Sequence, residues 1–127
     1  MKQVMPYLMF SGNCREALMF YKDCLSGEIA SIQTVGESPL DVPEEHHDRI
    51  FDSEFRADNV RFKASDDMPG YEVAAGSNFA MFVTFSDHAE QKRVFDKLAE
   101  GGQIQFPLEN NFGMLVDKFQ IQWMVAG

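Results

Sequence analysis

FSGNCREALMFYKDCLSGE, residues 10–28, returns as FSDHAEQKRVFDKLAEGGQ at residues 85–103. At an offset of 75, Phe10 falls on Phe85, Ser11 on Ser86, Phe20 on Phe95, Lys22 on Lys97, Gly27 on Gly102 and Ile29 on Ile104. Six matches in twenty are weak by themselves, and two ordinary strand–helix units could share them by chance. A slip of one residue inside the helix matches the apolar faces better, Phe20–Tyr21–Cys24 with Val94–Phe95–Leu98. What favours a true duplication is that the surroundings repeat as well.

Each copy opens on a run rich in apolar, aromatic and β-branched residues, Val4–Phe10 and Phe79–Phe85, which predicts a strand. A helix should follow, with Asn13 and Glu16, then Asp87 and Glu90, at capping-box spacing. Ala17, Phe20, Tyr21 and Cys24 form the expected buried stripe of the first helix, and Val94, Phe95 and Leu98 that of the second. Gly27 and Gly101–Gly102 stand where a left-handed C-cap is wanted.

Three strand-like runs follow each helix: Glu28–Val35, Arg49–Arg56 and Val60–Ser65, then Gln103–Phe106, Gly113–Val116 and Gln120–Val125. EFRADNVRF predicts a hairpin turning at Asp58–Asn59, with Phe55 opposite Phe62 and Glu54 opposite Lys63. LVDKFQIQW predicts its counterpart turning at Lys118–Phe119, with Val116 opposite Ile121 and Leu115 opposite Gln122. The organisation is α+β, βαβββ twice, in one domain over residues 1–127. Module one takes 1–65, a Pro- and Gly-containing linker 66–78, and module two 79–127. The loop GESPLDVPEEHHD, 36–48, is a candidate lid.

The totals exclude several classes of function. The chain has 127 residues, enough for a real core, and 45% hydrophobic and 24% charged residues, which is a globular composition. A net charge of −9 repels phosphate backbones and anionic membranes, so no nucleic-acid or membrane partner is expected. MKQVMPYLMF does not read as a signal peptide, and no apolar stretch is long enough to span a bilayer. Cys14 and Cys24 fall in one helix, where ten residues rise ~15 Å, far beyond the roughly 7 Å reach of a disulfide. Two thiols fit a reducing cytoplasm.

PYLMFSGNCREALMFYKDCLSGE, RIFDSEF, EGGQIQFPL and FGMLVDKFQIQWMVAG together resemble the PhnB-like branch of the vicinal oxygen chelate superfamily. That superfamily includes glyoxalase I, bleomycin-resistance proteins and extradiol dioxygenases. PhnB-like sequences often carry the label 3-demethylubiquinone-9 3-methyltransferase. Gln120 stands where the branch usually has Gly. The resemblance implies curved mixed sheets around a cavity and a homodimer. In metal-dependent members it implies inward His and Glu ligands from the first and last strands of each module, holding a divalent ion that polarises two substrate oxygens.

Carried onto this chain, those ligand positions fall at Met5, Ala80, Lys63 and Met124. Met is too soft for the expected ions and Lys is a cation. A shift of two residues gives Tyr7, Phe82, Gln122 and Arg61, no better a set. Relatives often show His-Ala-Glu where this chain has Asp52-Ser53-Glu54. The expectation is therefore no metal and no other cofactor. Alternation turns Tyr7, Asp52, Glu54, Arg61, Lys63, Phe82, Gln122 and Met124 inward, with Leu8, Phe55, Phe62, Ile121 and Trp123 facing the helices. A solvated concave face with a Glu54–Lys63 cross-strand pair accounts for the charges simply. Alternatively, Arg61 and Lys63 meet an anionic or carbonyl ligand between aromatic walls, with Asp52 or Glu54 as general base.

In EEHHD, Glu44–Asp48, the adjacent His46 and His47 do not have the i, i+4 spacing of ligands on one helix face, and a charged loop is the simpler account. His88 at the start of the second helix should be exposed, and the eight Met should mostly fill core. Three functions remain open: a metal-free small-molecule-binding dimer, a metal-dependent lyase, isomerase or dioxygenase with non-standard ligands, and a methyltransferase. For the last, no strand–Gly-rich loop–helix signature is present.

Overall fold

A computed structural model describes residues 1–68 and 70–127. Pro69, inside the expected linker, lies outside the described residues. The chain divides into two compact units, Met1–Val73 and Ala74–Gly127. In the first, β1 (Tyr7–Phe10) leads through α1 (Cys14–Leu25) into a meander of β2 (Glu28–Thr34), β3 (Ile50–Ala57) and β4 (Val60–Asp66). The second repeats the order with β5 (Met81–Thr84), α2 (His88–Ala99), β6 (Gln103–Glu109), β7 (Phe112–Val116) and β8 (Gln122–Ala126). Each unit is one open mixed sheet, ordered β1-β4-β3-β2 and β5-β8-β7-β6. The last strand of each returns parallel to the first, and the other pairings are antiparallel.

The two copies match with one insertion. Tyr7 and Phe82 hold equivalent strand positions, facing Lys63 and Met124 on the parallel last strands and 75 apart, but the helices start at Cys14 and His88, 74 apart. The extra residue falls in the β1–α1 turn, where Gly12 holds φ +93, a backbone region that glycine enters without strain. The slip seen in the sequence is thus a real difference in turn length. It sets Ala17, Tyr21 and Cys24 of α1 on Gln91, Phe95 and Leu98 of α2, all buried.

Each helix covers one face of its sheet. In unit one Phe55 stacks on Phe62 at 4.8 Å, and Tyr21 meets Phe62 edge-on at 5.7 Å. Fully burying side chains of this size is worth about 2–3 kcal/mol each. Leu18 is fully buried in α1, whereas Phe20, expected in the stripe, is only half-buried at its edge. In unit two Leu115, Trp123 and Val125 form the core with Val94, Phe95 and Leu98.

Several local expectations change. β1 begins at Tyr7 rather than Val4, and the Pro6 carbonyl accepts the Lys63 N–H at 2.9 Å as the ladder starts. Proline has no N–H with which to extend it. β5 is likewise confined to Met81–Thr84. β6 runs on to Glu109, through Pro107, because it is an edge strand and proline is tolerated there.

Asn13 makes no side-chain cap. Asp66, at the end of β4, accepts the Cys14 N–H and the Ile50 N–H, each at 2.9 Å, and so pins the start of α1 to the sheet. Asp87 does cap α2, accepting the Glu90 N–H at 3.0 Å. The left-handed residue after α1 is Ser26, not Gly27. Gly27 is needed for close approach instead, since a Cβ there would lie 2.7 Å from the Arg56 carbonyl oxygen.

The first hairpin has the expected register, Glu54 opposite Lys63 and Phe55 opposite Phe62. The second is displaced by one, with Leu115 opposite Trp123 and Val116 opposite Gln122. Its turn is longer because Asp117 organises it. The Asp117 Oδ1 accepts the Phe119 N–H at 2.8 Å and the Ile121 N–H at 3.1 Å, and Gln120 takes a left-handed φ of 73. Ile121 therefore sits in the turn rather than facing α2.

Candidate functional site

The face of each sheet opposite its helix is the open one. Strand alternation puts all eight predicted inward residues there, five in the first unit and three in the second. On β1 and β4, Tyr7 lies directly opposite Lys63, and Lys63 opposite Glu54 of β3. Asp52, two residues before Glu54, joins the group through its side chain. Its Oδ1 accepts the Tyr7 O–H at 2.9 Å and its Oδ2 accepts Lys63 Nζ at 2.8 Å. The ammonium also lies 5.9 Å from the centre of the Tyr7 ring, within cation–π range.

The expected Glu54–Lys63 pair does not form, although the two residues are opposite. Glu54 instead accepts from the Arg61 guanidinium at 3.0 Å. Both ion pairs run diagonally across the strands, a separation that long side chains span easily. Each is open to water, so each contributes under ~1 kcal/mol to stability.

The electrostatics follow from this arrangement. Burial pulls the Asp52 carboxyl upward, but the hydrogen bonds from Lys63 and Tyr7 and the charge of Lys63 outweigh it, and the group ends below the usual range. The hydrogen bond to Asp52 raises Lys63, with further help from the charge of Glu54. Burial, then the neighbouring Asp52, raises the Tyr7 phenol. Asp52 is thus a firmly ionised acceptor with both oxygens engaged. It is a hub that orients Tyr7 and Lys63, and it is poorly set up to take a proton near neutrality.

The open face of the second unit has a different character. Phe82, Met124, Met114 and Phe106 pair directly across all four strands, in that order. Phe82 is 62% exposed and Phe106 57%, an apolar row uncharged from end to end. Gln122 lies two residues along from Met124, and its amide donates to the Phe79 carbonyl at 2.6 Å, tying down the approach to β5. Nothing in the sequence flagged Phe106 and Met114, because the irregular β6–β7 register that aligns them is set by tertiary pairing.

The donor set does not fit the divalent centre that metal-dependent members of the superfamily hold. Met5 and Ala80 precede their strands, Lys63 is a cation, and Met124 offers only a thioether. Among the described residues, no three His, Cys, Asp or Glu side chains converge to hold an ion. In the 36–48 loop, His47 Nε2 bonds the Val42 carbonyl at 3.0 Å and His46 lies 3.6 Å from Glu45. The loop is closed on itself by Gly36 N–H to the His47 carbonyl, at 3.0 Å. His88 is exposed at the start of α2. Among the described residues, no helix is long and apolar enough to cross a membrane.

Comparison with known proteins places this geometry among relatives. The family model for 3-demethylubiquinone-9 3-methyltransferase matches residues 2–126. Protein YjdN of Escherichia coli K12 is 30% identical, over 94% of this chain and 91% of that protein. The crystal structure of protein PA1353 from Pseudomonas aeruginosa superimposes with a TM-score of 0.88 at 34% identity, covering 99% of this chain and 97% of the other. A PhnB protein from Bacillus cereus, described as a putative 3-demethylubiquinone-9 3-methyltransferase, gives 0.80 at 25%, with 98% of both chains covered. The fosfomycin resistance protein FosX of Mesorhizobium loti gives 0.66 at 9%, over 99% of this chain and 92% of the other, a likeness of fold alone.

Proposed function

The chain belongs to the 3-demethylubiquinone-9 3-methyltransferase family, the PhnB-like branch of the vicinal oxygen chelate superfamily, and from that premise we propose that it is a small-molecule-binding homodimer working without the superfamily's metal centre. The observation that carries this reading is the Tyr7–Asp52–Lys63 cluster, a polar group built on an open sheet face at a position where a metal ligand would stand. Lys63 has three N–H donors, of which Asp52 takes one, so a ligand oxygen can be met there without a Lewis acid. Considered by itself, the open face of the second unit, with its Phe82–Met124–Met114–Phe106 row, is an apolar, polarisable surface suited to ring or alkyl groups. Exposed apolar rows of this kind also favour self-association, which supports the dimer.

Neither alternative is favoured by a specific feature. A lyase, isomerase or dioxygenase needs an ion or a poised base, and Asp52 is held ionised by its two donors. Methyl transfer needs a donor site, and the β1–α1 turn carries one glycine, with the Arg49 guanidinium about 3.7 Å from where its Cβ would be.

A thermal-shift screen of small carboxylates, carbonyl compounds and aromatic antibiotics, run with EDTA and with Mn²⁺, tests the reading. It requires stabilisation that is the same in both, about 2.7 kcal/mol at a hundredfold excess over Kd. Stabilisation seen only with Mn²⁺ sinks it. Sedimentation equilibrium should give twice the chain mass, and a monomer at tens of micromolar removes the dimer.

A further inference from the structure

Lys63 occupies the last strand of module one, where the superfamily resemblance puts a metal ligand, and it carries the charge of an ion rather than that of a ligand. Three observations make this more than a substitution. The ammonium sits 2.8 Å from Asp52 Oδ2. Glu54 lies directly opposite Lys63 across the β3–β4 pair, so a second carboxylate borders the same part of the open face. The other oxygen of Asp52 takes the Tyr7 O–H, leaving neither oxygen open. Asp52 and Glu54 lie on one face of β3, with position 63 directly across from Glu54. Directly opposed side chains on paired strands are within ~5.5 Å at Cβ. A carboxylate at position 63 would lie directly opposite Glu54 and diagonal to Asp52, about 7–8 Å away and within reach of long side chains, so the three would make a hard oxygen set of the kind that holds Mn²⁺ or Ca²⁺.

We propose that Lys63 is a resident cation: its ammonium neutralises Asp52 beside Glu54 and closes off a latent divalent-ion site. Arg61 assists by holding Glu54 at 3.0 Å, and its half-exposed guanidinium can turn away when an ion competes for that carboxylate. The module thus retains a positive centre on its open face that needs no metal supply and cannot be stripped by a chelator. The inference rests on the metal-free reading above.

The test is a Mn²⁺ titration of K63E, K63Q, the double variant D52N/K63E and the unaltered protein, with free ion read by electron paramagnetic resonance and folding by circular dichroism. The unaltered protein should leave Mn²⁺ free into the millimolar range. K63E should bind one ion per chain about 100-fold tighter, with three carboxylates in place of two and no ammonium. K63Q, which removes the charge at similar length, should fall between, and adding D52N should return K63E to the starting level. A folded K63E no tighter than the unaltered protein overturns the proposal. So does unaltered protein that binds Mn²⁺ and loses it on D52N. Should K63E fail to fold, K63Q decides alone, and no gain there overturns the proposal too. Metal-dependent ligand binding by the unaltered protein would sink the functional reading. Lysine variants that gain nothing in a metal-free protein sink only this inference.

Discussion

Replacing Asp117 by Ala should unfold the second unit first, and the size of the effect follows from what the carboxylate holds. Asp117 is 1% exposed. One oxygen accepts the indole N–H of Trp123 at 2.9 Å, deep in the core, and the other accepts the Phe119 and Ile121 N–H groups. Hydrogen bonds to a charged partner contribute about 1.5–3 kcal/mol each, and an orphaned buried donor costs about 1–3. Water can reach the two turn amides, so their loss is partly offset, whereas the Trp123 N–H has no such replacement. The total is about 3–5 kcal/mol for D117A. D117N keeps one acceptor oxygen for the indole or for the turn, but not both, and should lose about half of that. The assay is urea denaturation followed by tryptophan fluorescence, and Trp123 is the one tryptophan of the chain, so the signal reports this unit. The midpoint should fall at constant m-value. A D117A loss below about 0.5 kcal/mol, typical of an ordinary surface substitution, would refute the role assigned to this carboxylate.

Three further outcomes follow from the same geometry. Gly102→Ala should destabilise by about 2–4 kcal/mol in thermal or urea melts, since its Cβ would overlap the Val116 carbonyl oxygen and crowd the Asp117 backbone. A neutral result would mean that the approach of α2's exit to β7 is looser than described. Burial, then Asp66, pushes the Cys14 thiol up to about 12, and Cys24 is buried too. A disulfide reagent at neutral pH should therefore titrate neither thiol until denaturant is added, and fast reaction of Cys14 in the native state would contradict its burial. Asp52 is ionised more readily in the folded chain than in the unfolded one. Its contribution is therefore complete above about pH 5 and disappears as pH falls through the lowered folded value. D52N should be less stable than the unaltered protein by under ~1 kcal/mol at pH 7, with the gap closing toward pH 3. A gap that widens in acid has the wrong sign.

The duplication, the helices and the first hairpin were legible because they rest on local signals. Ala57–Asp58–Asn59–Val60 is a tight turn with Asp58 at φ 52, and its short loop fixes the register of everything behind it. The second hairpin departs by one residue from its spacing because its turn depends on Asp117 reaching forward to two amides and on Gln120 accepting a backbone region that glycine usually fills. Neither is a property of spacing. The cap on α1 was hidden for a similar reason: Asn13 has the right chemistry, but Asp66, 52 residues away in the chain from Cys14, takes the N–H.

At the candidate site, alternation alone put all eight side chains on the open faces, because period two is fixed by the strand itself. Which of them touch was not legible. Lys63 passes over the facing Glu54 to reach Asp52, and Arg61 takes Glu54, a choice made by side-chain length and by the Tyr7 hydroxyl that already orients Asp52.

The measurement that bears most directly on the central claim is elemental analysis of the protein purified without added metal and without chelator. With an ammonium in place of an ion on the open face of the first unit, Mn, Fe, Ni and Zn should each fall far below one per chain. One equivalent of any of them, lost when Asp52 is changed to Asn, would contradict the account.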